Sequence, residues 1–151
     1  TRRSSDLPTL YYGDEAGLCG FTDPDNRRAY PWGREDTEML LFHKAAIRIH
    51  RNCQELKTGS VKFLDTDRNF IAFGRFDDKG KTIVLINNGN EDLDRLITIW
   101  PLGIPKEAEV KRLLYSDAYT FSDTEERVIV TNGKISVTLP PTGAMILRYA
   151  D

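Results

Sequence analysis

The sequence predicts a mainly β chain: an antiparallel β-sandwich over its last two thirds, preceded by a single strand–loop–helix step. Three observations carry this. From residue 60 onward, eight short runs rich in Val, Ile, Phe and Thr are separated by turn signals, with no helical period between them. Residues 36–57 hold the chain's one long stretch with apolar residues at steps of three and four. Between a short apolar run at 7–12 and that helix lies a long irregular segment rich in Gly and Pro.

"LPTLYY", residues 7–12, is apolar or aromatic and is stopped by Gly13, so it reads as a short buried strand. Residues 13–35 form the irregular segment, with Gly13, Gly17, Gly20, Pro24, Pro31 and Gly33. Asp36 can cap the helix, and Glu38 in its first turn suits the helix dipole. Met39, Phe42, Ala46, Ile49, Cys53 and Leu56 mark its apolar face, which Leu40, Leu41, Ala45 and Ile47 widen. Lys44, Arg48, Arg51 and Gln54 fall opposite, and Gly59 supplies a stop.

The strand candidates are "VKFLDT", "NFIAFGRF", "KTIVLINN", "LITIW", "VKRLLY", "RVIVT", "KISVTL" and "AMILRYA". Asn132-Gly133 is a strong hairpin signal, and "DDKGK" at 77–81 is a second. One strand–loop–helix step of a parallel sheet or barrel cannot bury itself, and a whole (β/α)8 barrel needs about 250 residues. The expected division is therefore residues 1–59, the last step of a truncated barrel, and residues 60–151, the antiparallel sandwich.

Composition narrows function by exclusion. The 151 residues are 40% hydrophobic and 29% charged with a formal net charge of −2, which leaves no basic footprint for nucleic acid. No apolar run approaches the roughly 20 residues that span a bilayer. The two cysteines, Cys19 and Cys53, match neither a disulfide framework nor a zinc pattern, so a cytoplasmic protein is the default.

"GRFDDKGKT" has five residues between Gly74 and Gly80-Lys81 where a phosphate-binding loop has four, and it lies between strands. It reads as a hairpin turn. His43 and His50 are seven residues apart on one helix, roughly 10 Å, too far to share a metal ion. No metal or cofactor is expected. Asp14 and Glu15 follow the first strand directly. Adjacent carboxylates point apart, so they make no acid/base pair, and anchoring of the loop backbone by Glu15 is the favoured role.

"TDPDNRRAYPW", residues 22–32, is the richest stretch. Arg27 and Arg28 bring forked donors, Asp23 and Asp25 acceptors, and Tyr30 and Trp32 flat apolar faces. Such a set suits a sugar, which offers hydroxyls at its rim and CH groups on its faces. A loop stiffened by its own arginine–aspartate pairs explains the composition equally well, and composition leaves the two readings level.

"LPTLYYGDEAGLCGFTDPDNRRAYPWGRED" resembles the segment after the eighth barrel strand in the α-amylase family, glycoside hydrolase family 13. The pattern P-x-x-Y-Y-G-x-E-x-G, then D-P-x-x-R and P-W, is similar to that of its neopullulanase, cyclomaltodextrinase and maltogenic amylase branch. "LLFHKAAIRIHR…LKTG" resembles the eighth barrel helix, and the β module ending in "LPPTGAMIL" resembles the family's C-terminal domain (domain C). One departure is "RSSDLP", where the family usually carries Gly shortly before the strand.

The resemblance implies a parent that hydrolyses α-glucosidic bonds with retention, using an aspartate nucleophile, a glutamate acid/base and a second aspartate. Motifs for those three are not in this sequence, so no catalytic residue is assigned. It further implies that Asp23 and Arg27 hydrogen-bond to glucose on the non-reducing side of the cleaved bond. The expected partners are an α-glucan oligosaccharide and the rest of the catalytic barrel, with no nucleic acid and no membrane. The alternative is a stand-alone carbohydrate-binding or purely structural β-sandwich. For residues 60–151 a structural role is favoured, since Trp100 and the other aromatics form no surface ladder in the sequence.

Overall fold

The computed structural model describes residues 9–150. They divide into two compact units, one up to Lys44 and one from Ala45 onward, with the boundary inside the long helix. In the first unit, residues 9–12 form no strand, and residues 7–8 of the expected strand lie outside the described residues. Among the described residues no strand precedes Ser60, so this run has no ladder partner, and a lone strand does not hold. Leu10, Tyr11 and Tyr12 are exposed.

Helix α1 spans Thr37–Asn52. Asp36 caps it as expected: its Oδ1 accepts the Met39 N–H at 3.0 Å, satisfying one of the free amides of the first turn. The expected single helix over 36–57 is interrupted at Cys53, whose backbone is extended (φ −106°, ψ 104°), and a short helix α2 follows at Gln54–Thr58. The buried stripe is also narrower than expected. Ala45, Ile49 and Cys53 are buried in an i, i+4, i+8 row, whereas Met39, Leu41 and Ile47 lie off that row and are exposed.

The second unit is two antiparallel sheets. Strands β1 (Ser60–Thr66), β2 (Phe70–Phe76), β3 (Gly80–Asn87), β5 (Ala108–Ser116), β6 (Phe121–Ser122), β7 (Glu126–Val130) and β9 (Ala144–Ala150) form the larger, with β4 (Leu93–Thr98) and β8 (Lys134–Leu139) the smaller. In the large sheet the order runs β1-β2-β3-β9-β5-β6, and β7 pairs with β5 beside β6. All pairings are antiparallel, as expected. β4 lies earlier than the expected 96–100, because Trp100–Leu102 turn into a 3₁₀ helix at Pro101.

Period-2 alternation writes the layers. In β8, Ile135, Val137 and Leu139 point inward while Lys134, Ser136 and Thr138 point out. The inward residues meet Phe70, Ala72, Ile83, Leu85, Val110, Met145 and Leu147 of the large sheet in one core. Each fully buried aliphatic side chain contributes about 1.5–3 kcal/mol. β3 is buried on both faces over much of its length, because α2 packs on β2 and β3 opposite the core. Both hairpin expectations hold. Asn132 and Gly133 adopt φ 52° and 72°, and Asp77 Oδ1 accepts the amides of Lys79 and Gly80 at 2.8 Å each.

Candidate functional site

The segment 13–36 is organised by short local bonds. A 3₁₀ turn at Asp14–Ala16 is flanked by Gly13 and Gly17, both left-handed. Glu15 Oε2 accepts the Gly13 N–H at 3.1 Å, the backbone-anchoring role expected for it. The Asp36 N–H donates to Ala16 O at 3.0 Å and closes the segment.

A second 3₁₀ turn, Asp25–Arg27, carries the polar stretch, and the Asp23–Pro24 peptide is cis. Arg27 forks onto Asp23: Nε donates to Oδ1 at 3.2 Å and Nη2 to Oδ2 at 2.9 Å. Arg28 forks onto Asp25 Oδ1 at 3.0 and 2.6 Å, while Asp25 Oδ2 accepts the Phe21 N–H at 2.9 Å. The Arg28 hydrogen bond, then that of Phe21, holds the Asp25 carboxyl below the usual aspartate value. Tyr12 donates to Arg28 O at 2.8 Å. Tyr30 and Trp32 lie with ring centres 4.5 Å apart at 48°, and Trp32 is 80% exposed. Burial, then the nearby Glu15 and Glu35 carboxylates, pushes the Tyr30 phenol up.

The two predicted site residues are therefore brought together, as partners of each other. Both remain open to solvent, with side chains 70% (Arg27) and 58% (Asp23) exposed. A guanidinium has five N–H donors and a carboxylate about four lone-pair sites. Their pairing uses two of each. The loop is self-paired and still holds donors and acceptors for a ligand.

The second unit holds a polar cluster that sequence reasoning missed. Glu55 is fully buried; Arg148 Nε donates to its Oε1 at 2.7 Å and Nη2 to Oε2 at 3.3 Å, while Thr82 Oγ1 donates to Oε1 at 2.7 Å. Burial raises the Glu55 carboxyl, but the Arg148 and Thr82 hydrogen bonds outweigh it and hold the group below its ordinary value. Burial pushes the neighbouring Cys53 thiol up. No local pattern links residues 93 positions apart, and a glutamate in a helix is unremarked in sequence.

A groove of about 480 Å³ lies between the last turns of α1 and β5, lined wholly by residues of the second unit. Its walls carry the pairs Arg48–Asp123, Lys111–Glu125 and Arg127–Glu109, and Arg148, which also lines it, is paired with the buried Glu55. Among the described residues, no group of three or more His, Cys, Asp and Glu is placed to hold a metal ion, and no helix is long and apolar enough to cross a membrane. His43 sits on α1 with Nδ1 2.8 Å from Met39 O.

The described arrangement recurs in solved α-amylase structures. An Anoxybacillus α-amylase superposes with a TM-score of 0.76 at 25% identity, over 93% of this chain and 28% of that one. The chain belongs to the family of the α-amylase C-terminal all-beta domain, whose model matches residues 61–150.

Among curated relatives, an amylopullulanase of Thermoanaerobacterium saccharolyticum is 34% identical over 96% of this chain and 12% of its own length. Neopullulanase 2 of Thermoactinomyces vulgaris is 32% identical over 93% of this chain and 23% of its own. The chain spans only 6%, 12% and 8% of the lengths of three amylopullulanases among its curated relatives.

Proposed function

We propose that this chain is the C-terminal portion of an α-glucan hydrolase of the α-amylase family. In this reading residues 1–59 are the last strand, loop and helix of a (β/α)8 catalytic barrel, and residues 60–151 are a stabilising β domain. The parent hydrolyses α-1,4 and α-1,6 glucosidic bonds with retention, through two carboxylates and a covalent glycosyl intermediate. Those carboxylates belong to other barrel strands. The observation that carries the reading is the extent of the likeness: 96% of the chain aligns with an amylopullulanase, so the similarity runs through the loop as well as the β domain. The exposed Leu10, Tyr11, Tyr12, Met39 and Leu41 support it, since a barrel segment reserves such residues for neighbours in the barrel.

The loop then acts as a substrate-side clamp. Asp23 accepts from, and Arg27 donates to, hydroxyls of one glucose unit, through the hydrogen-bonding positions their mutual pairing leaves unused. The partners are an α-glucan oligosaccharide and the remainder of the barrel. A reducing cytoplasm is the compartment we infer, on Cys19 and Cys53 standing as free thiols.

The test is kinetic. Asp23→Ala and Arg27→Ala in the intact enzyme are each expected to raise KM for maltooligosaccharides about tenfold, one lost charge-assisted hydrogen bond. kcat should change little. A normal KM with reduced kcat overturns the clamp. Turnover of maltooligosaccharides by the purified 151-residue chain overturns the C-terminal-portion reading.

A further inference from the structure

Phe63, Trp100 and Tyr119 are the exposed large aromatics described in the β domain, and Trp100 stands in a position the core fixes. Trp100 is 53% exposed, yet its neighbours Ile99 and Leu102 are buried, and Pro101 follows it in the 3₁₀ turn. The amides of both Ile99 and Trp100 donate to Gly133 O, at 2.9 and 3.1 Å. A Cβ on Gly133 would lie 2.8 Å from Trp100 Cβ and 2.9 Å from Cδ1, so the indole rests directly on the Asn132-Gly133 hairpin. With its backbone fixed and its Cβ–Cδ1 edge against Gly133, the indole has less freedom to lose when a ligand arrives, which lowers the cost of binding.

Beside it runs the outward face of the small sheet. β4 and β8 pair Asp94 with Thr138, Leu96 with Ser136 and Thr98 with Lys134. The facing side chains are thus three hydroxyls, an exposed leucine, a lysine and Asp94, whose Oδ1 accepts the Thr138 hydroxyl at 2.6 Å. This strip is short of net charge and rich in hydroxyls, and it ends on a flat apolar face. The match is to an uncharged polyol with CH faces. An anion would find one lysine, and an apolar helix would find hydroxyls.

We propose that Trp100, with the Leu96, Thr98 and Ser136 strip, is a glucan-binding platform on the β domain, separate from the Asp23–Arg27 loop. The inference takes its ligand class from the α-glucan reading above and adds a site that reading does not need. One glucose unit stacks on the indole, and the chain continues over the hydroxyl strip.

The chain has two tryptophans, so in Trp32→Phe Trp100 is the sole indole. Titrating that variant of the 151-residue chain with maltoheptaose is expected to blue-shift its emission and protect it from acrylamide, saturating on the order of millimolar. Unchanged emission and quenching overturn the proposal, and so does an equal response to cellohexaose. In gels containing amylose, retardation is expected to fall at least fivefold in Trp100→Ala and to persist in Asp23→Ala. Retardation lost in Asp23→Ala but intact in Trp100→Ala overturns this platform and leaves the clamp standing. Should Trp100→Ala fail to fold, the Trp32→Phe titration decides alone. Hydrolysis by the intact enzyme tests the parent reading independently of either result.

Discussion

Asp23–Arg27 and Glu55–Arg148 are the same chemical pair in opposite settings. In the first, four residues apart, both side chains stand more than half in water. In the second, the carboxylate is 1% exposed, the guanidinium 27%, and the partners are 93 residues apart. Coulomb attraction is comparable at these distances; desolvation is not. The buried pair has surrendered its water, so each partner depends on the other and on Thr82. The surface pair is screened, contributes roughly 0–1 kcal/mol, and keeps unspent hydrogen-bonding capacity. The buried pair belongs to architecture, and recognition is the role we propose for the surface pair.

Breaking the buried pair should have the largest effect. Glu55→Ala leaves Arg148 and Thr82 facing an empty, dry site and is expected to cost about 3 kcal/mol, read as a lower midpoint in urea. A loss under about 1 kcal/mol would erase the contrast between the two pairs.

Next comes the close approach that holds Glu55. A Cβ on Gly80 would lie 2.6 Å from Glu55 Oε2 and 2.7 Å from Oε1, with no room to retreat beside Arg148. Gly80→Ala should therefore destabilise by about 1–3 kcal/mol in the same assay. In a Glu55→Ala background the penalty should shrink sharply, because the clash partner is gone.

Proton linkage sharpens the comparison further. Folding lowers the Glu55 pKa from its ordinary 4.5, so its stabilisation is complete above that value and is lost as pH falls through the lower folded value. Wild type should lose stability on acidification more steeply than Glu55→Gln, which carries no titrating group at this position. Equal slopes from pH 6 to about 3 would show that the burial cost cancels the hydrogen bonds.

The same contrast explains what the sequence reveals of this fold. Local grammar located the Asn132-Gly133 turn, the Asp36 cap and the strand at 134–139, because each rests on residues within a few positions. The continuous helix over 36–57 failed at Cys53, where the backbone extends and Glu55 meets Arg148. No Gly or Pro marks that break, since the interaction favouring it is tertiary. Residues 9–12 of the expected strand form none for a related reason: apolar residues make a strand only where a ladder partner exists. At the loop, composition offered arginine–aspartate pairing as one of two readings, and geometry shows which pairs form: Arg27 with Asp23 and Arg28 with Asp25. β6, two residues long, is too short for any period to register.

The smallest effect is expected at the surface pair itself. Asp23→Ala and Arg27→Ala should each change stability by less than about 0.5 kcal/mol, and a double-mutant cycle should return a coupling of similar size. The solvent that screens the pair and makes it nearly silent in urea also occupies the donor and acceptor positions the fork leaves unused, which are the positions the proposed clamp would offer a glucose. A coupling above about 1.5 kcal/mol would mean that the fork is rigid and structural, as at Glu55–Arg148. The rise in KM expected of the single variants would then report a disturbed fork instead of a lost contact to sugar.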